Sequence, residues 1–169
     1  GDFDELYYTL DGKIPNKYSK VFKDSLLIDK TVLFKARMKR NGNLLDTVIN
    51  SFFLINFSKK FPVLSISIDK EDLWSDKKGL FAKGEYAYKD SNGHFKNCNY
   101  HKKWEKSVSI IYIEDSLIIN QNCGLKLFGE STRANPDKSL KLIARKKYGS
   151  KLFEYSFFQN KSLNKHKQL

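Results

Sequence analysis

Between Gly124 and Gly149 the chain sets small hydroxyl residues, an arginine and a lysine around one turn: Gly129, Ser131, Thr132, Arg133 and Pro136, then Lys138. Hydroxyls and backbone N–H groups donate hydrogen bonds, and fixed cations neutralise charge, so a turn of this kind can hold a phosphate. Glycine at 129 would let the backbone come close to such a ligand. The same residues also suit a plain basic hairpin in solvent, because short patterns recur without function. The residues alone leave both readings open. Glu130 and Asp137 sit among the cations, where a carboxylate repels phosphate unless it is paired, Asp137 with Lys138 or Arg133. Other chemistries have less behind them. Cys98 and Cys123 have no metal-ligand spacing, and nothing in the sequence decides whether they pair. His94, His101 and His166 are isolated in polar surroundings. Glu105 and Glu114 are the acidic pair near the expected core, and nothing makes one an acid and the other a base, so a glycosidase is not proposed.

Two strand-like runs, Leu125 to Phe128 and Ser139 to Ala144, must carry that turn. Upstream, Leu6 to Thr9 reads as a strand ending at the Asp11-Gly12 turn, with Pro15 close behind. Strands are expected at Ser25 to Ile28 and at Thr31 to Arg40. The second sets Val32, Phe34, Ala36 and Met38 against a solvated basic face of Lys35, Arg37 and Lys39. Asn41-Gly42 is a hairpin turn, and Asp46 to Phe57 is the closing strand. Short strands at these intervals predict an antiparallel, immunoglobulin- or fibronectin-like sandwich. Ser58-Lys59-Lys60 is the expected hinge. It divides residues 1–58, a β module, from residues 59–169, a β-rich second domain. There Val63 to Ile68 is a strand, Asp69 caps a short helical turn with Asp72 three residues on, and Trp74 and Phe81 are packing residues. Residues 85 to 100 read as a polar surface loop. Trp104, a packing anchor, precedes a strand from Val108 to Ile113, with a turn at Glu114-Asp115 and a return from Ser116 to Asn120. Leu152 to Phe158 alternates again.

The composition of these 169 residues supports a packed core, at 40% hydrophobic and 14% aromatic. No apolar run is long enough to cross a membrane, and the N-terminal residues have no basic-then-apolar leader. The formal net charge of +12 is mostly lysine scattered along the chain. Without a recognition motif it argues only for general attraction to anions, not for a nucleic-acid interface. A nucleotide or an acidic protein surface is the partner class it fits.

Gly129, Ser131, Thr132 and Arg133, then Lys138 to Leu142, then Arg145, Tyr148 and Gly149 resemble the CotH kinase family, the spore-coat protein H type of atypical kinase. Trp104-Glu105-Lys106 and the run from Leu64 through Ser65, Ser67, Asp69, Leu73 and Trp74 to Gly79, Leu80 and Phe81 resemble its preceding segment. Tyr7 to Gly12, Pro15 and the strand with Val32, Lys35 and Ala36 are similar to chitobiase C-terminal, fibronectin-III-associated modules of bacterial surface and secreted proteins. A module of that kind has a further strand before Leu6, so the missing edge is expected to be supplied in another way or to precede this chain. The first resemblance implies ATP and Mg as ligands of a full-length protein kinase acting on Ser or Thr of a protein substrate. Lys138, Arg133, Ser131, Thr132 and Gly129 would contact the phosphates, and the metal-binding and catalytic carboxylates would lie beyond Leu169. This chain alone would then be inactive, and extracellular or at the cell surface. The alternative is a non-enzymatic surface module that binds carbohydrate, cell wall or a partner protein.

Overall fold

Asn41 and Gly42 close the first long hairpin with φ of 50° and 77°, the left-handed pair that a two-residue turn between twisted strands demands. They join β3 (Val32–Arg40) to β4 (Asn43–Phe53). The computed structural model describes residues 4–55, 61–115, 117–158 and 162–169. The hinge expected at Ser58-Lys59-Lys60 lies outside these residues. Among them the strands form small sheets whose described pairings are antiparallel, a mainly β, sandwich-like fold. Contacts divide the chain into two compact units. One is Gly1–Ser65 with Ile111–Ile119; the other is Ile66–Ile110 with Asn120–Leu169.

In the first unit β1 (Glu5–Thr9) lies between β3 and β2 (Lys20–Phe22), giving the order β2-β1-β3-β4. Two expectations are corrected here. The outer neighbour of β1 comes from Lys20–Phe22, so Ser25 to Ile28 is not a strand; pairing with Leu6 to Tyr8 decides this, not propensity. The lysine face of β3 is also not simply solvated. Lys35 is 7% exposed, Lys39 Nζ reaches Glu5 Oε2 at 2.7 Å, and Arg37 donates to Leu45 O and Pro15 O. Pro15 is fully buried. The chain after β1 thus folds across a face that the alternation alone assigns to water.

The second unit is organised on β8 (Lys106–Glu114), β9 (Leu117–Leu127) and β10 (Leu140–Ile143), with β5 (Val63–Ser67) on the far side of β8. The hairpin tip of β8 and β9 and the start of β5 belong to the first unit. Val108, Ile110, Leu125, Leu127 and Leu142 point into one apolar core with Leu80, Cys98, Cys123 and Phe153. Asp69 caps helix α1 (Lys70–Trp74) by accepting from Glu71 N at 2.8 Å. Trp74 departs from the expected packing role, being 58% exposed with the Phe81 ring edge-on against it. The expected surface loop of residues 85–100 holds a small hairpin, β6 (Tyr88–Lys89) with β7 (Phe95–Lys96), and ends in the core. Cys98, Asn99 and Tyr100 are buried, Asn99 because its amide donates to Asp76 O at 2.8 Å. At the other end, β11 (Phe153–Glu154) pairs with β12 (Lys165–His166), and Leu142 and Leu169 exchange backbone hydrogen bonds.

Candidate functional site

The turn that joins β9 to β10 begins where Leu127 faces Leu140, and Phe128 N bonds to Ser139 O at 2.8 Å. Gly129 follows with φ of 90°, and a Cβ there would collide with Thr132 Oγ1. A glycine is therefore required on two counts, backbone sign and space. Ser131–Ala134 then form one tight 3-10 turn that leaves Ser131 and Thr132 exposed. Arg133 folds back, Nε donating to Gly129 O at 2.6 Å and Nη1 reaching His101 O and Lys102 O at 3.5 and 3.4 Å. Lys138 Nζ donates to Arg133 O at 2.6 Å and to Asn135 O at 3.0 Å, so two of its three N–H bonds hold the turn closed. Its ammonium stands 4.7 Å from the centre of the Tyr100 ring, and burial holds it below the ordinary lysine range.

These groups border a cleft of about 490 Å³ lined by His101, Lys103, Gly129, Glu130 and Arg133. Of the sequence-predicted residues, Gly129 and Arg133 line it; Lys138 braces the turn from behind, and Ser131 and Thr132 stand on its exposed rim. Sequence spacing does not place His101 and Lys103 at this turn, because only the fold brings the segment after Tyr100 alongside residues 129–133. Burial, and then the cations Lys96, Arg133, Lys102 and Lys138, lower the His101 imidazole below its ordinary 6.5, so it is neutral near pH 7. The permanent cations of the cleft are Arg133 and Lys103. Among the described residues Glu130 and Asp137 have no ion-pair partner, and the expected pairing of Asp137 with Lys138 or Arg133 is not formed.

A second polar centre ties the segment 105 to the segment 145–148. Arg145 grips the Glu105 carboxylate through Nε at 3.0 and 3.1 Å and Nη2 at 3.0 Å; Tyr148 Oη donates at 3.0 Å and Lys147 Nζ lies 3.2 Å away. Gly124 makes room, since a Cβ there would fall 2.7 Å from Glu105 Oε1. Burial pushes the Glu105 carboxyl up, but the bonds from Arg145, Tyr148 and Lys147 outweigh it and hold it below its ordinary 4.5. A folded value below the unfolded one stabilises the protein fully above about pH 4.5 and is lost as pH falls through the folded value. The urea midpoint of the parent should therefore fall more steeply below about pH 4.5 than that of Glu105→Gln, whose group does not titrate. Glu105 takes donors on both oxygens, and Glu114 accepts from Tyr112 Oη. Among the described residues no three His, Cys, Asp or Glu side chains converge as a metal ion requires, and no helix is long and apolar enough to cross a membrane. Cys98 and Cys123 are both buried free thiols, and burial pushes that of Cys123 up to about 12.

The four-stranded first sheet and the basic turn are a β-sandwich-like module and a candidate anion site on one chain. Residues 2–53 match the family described as Fn3 associated. No curated protein and no solved structure matches the chain.

Proposed function

We propose that residues 59–169 are the phosphate-contacting β part of a CotH-type kinase-like domain, carried behind an Fn3-associated module in a protein of the cell surface. The observation that carries this reading is the cleft in which Arg133 and Lys103 flank the Gly129 turn. Cations on a hydrogen-bonded turn offer charge and directed donors to phosphoryl oxygens without rearrangement. Lys138 supports the cleft from behind: two N–H bonds fix the turn and its ammonium stands against the Tyr100 ring. The residues present fit the phosphate tail of ATP. They do not fit a divalent ion, given the absence of an acidic or histidine cluster among the described residues, and no transfer step is assigned to them. On this reading the chain binds and orients phosphate.

Titration calorimetry with ATP and with tripolyphosphate, without divalent ion, tests the reading. Arg133→Ala should weaken both ligands by about tenfold, the worth of one charge-assisted bond. Glu130→Gln should strengthen both by about fivefold, since removing a like charge a few ångströms away in a wet site is worth about 1 kcal/mol. Unchanged affinity in both variants would sink the phosphate assignment.

A further inference from the structure

We propose that the Fn3-associated module has its own ligand site, a groove beside Tyr18 that takes one sugar ring of a neutral oligosaccharide. Tyr18 is 85% exposed, yet it is mounted on a turn held by three hydrogen bonds. Its own N–H is held by Asn16 Oδ1 at 2.8 Å, Ser19 N bonds to Asn16 O at 3.0 Å, and Asn16 N bonds to Ser19 Oγ at 2.9 Å. The buried Pro15 and the bond from Arg37 Nη1 to Pro15 O fasten the base of the loop. Folding gains almost nothing from a ring left in water. A rigidly mounted, unburied aromatic is instead what a stacking ligand needs, because the ring loses little freedom when it is covered.

The groove of about 280 Å³ beside this ring is also lined by Tyr8, Thr9, Asp11, Ser19 and Lys20. That is near the lower end of ligand-site volumes, about 300 Å³. Its polar groups are mixed. Thr9 Oγ1 already donates to Lys13 O at 2.6 Å and Ser19 Oγ accepts from Asn16 N, so the Thr9 oxygen is left to accept, the Ser19 hydroxyl to donate, and Lys20 donates. Asp11 is already met by Lys13, whose Nζ lies 2.7 Å from its Oδ2, so the directed donors and acceptor that remain, set beside an open ring, suit the hydroxyls of a sugar. Tyr8 gives the groove a firm floor, its ring stacked on Phe34 at 6.0 Å. Lys17 Nζ stands 5.0 Å from the Tyr18 ring centre, and the ring's exposure leaves its other face for the apolar side of a pyranose. This site is independent of the phosphate cleft.

Backbone amide NMR of the whole chain, titrated with neutral tetrasaccharides (β-1,4-linked glucose, β-1,4-linked N-acetylglucosamine, β-1,4-linked mannose and α-1,4-linked glucose), tests this. At least one should shift the amides of residues 8–11 and 18–20. Tyr18→Ala, an exposed change that leaves the fold intact, should weaken that binding at least about tenfold, and Tyr18→Phe should largely keep it. Arg133→Ala should not alter it. The proposal is overturned if no tetrasaccharide moves these amides, or if Tyr18→Ala leaves the titration unchanged. It is also overturned if tripolyphosphate moves them more strongly than any sugar.

Discussion

Replacing Glu105 by alanine should lower the unfolding free energy by about 2–3 kcal/mol. The carboxylate is 14% exposed and holds Arg145, Tyr148 and Lys147 together. Removing one member of a buried, hydrogen-bonded charge cluster costs about 3–5 kcal/mol when its partners stay uncompensated. Here Arg145 and Lys147 are 50% and 59% exposed, and water recovers part of that cost. The lost bonds and the hollow over Gly124 account for the remainder. Urea denaturation monitored by tryptophan fluorescence measures it. Glu105→Gln should recover part of the loss, because an amide still accepts from Tyr148. A change below about 0.5 kcal/mol in Glu105→Ala would mean the cluster is surface decoration.

Phe153→Ala should be costlier, about 3–5 kcal/mol, the range for deleting a buried phenyl ring. Phe153 is fully buried in the core formed with Leu80, Cys98 and Leu142. It sits on a strand of only two residues, so side-chain burial more than ladder bonds fixes that strand. Phe158 is 50% exposed, and its alanine variant should cost far less. Thermal denaturation of the two variants separates them. Similar losses would show that the apolar alternation after Leu152 buries its residues evenly, against the packing described.

How much of this was legible in the sequence follows the range of the forces involved. The Asn41-Gly42 turn, the Asp69 cap and the strands around Gly129 depend on neighbours a few residues away, and the sequence places them correctly. Lys20–Phe22 and Ser25 to Ile28 are both short and β-prone; only the partner strand chooses between them. Lys35 looks solvent-bound by alternation, yet it is buried once the residues after Thr9 fold across its face. In the candidate site, Gly129 and Arg133 were legible from residue type. Lys103 and His101 were not, since they reach the cleft through tertiary contact. The Glu105–Arg145 pair spans 40 residues, and no spacing rule connects such positions.

Both thiols lie in the second unit, at Cys98 and Cys123, each with no exposed surface. A disulfide-exchange reagent in water reaches neither until that unit opens, and the first unit offers it nothing to label. The labelling rate of the native protein is thus a clock for opening of one half of the chain. Read beside a signal from the whole molecule, it reveals whether the sugar-binding candidate and the phosphate-binding candidate melt as one body or take leave of their structure separately.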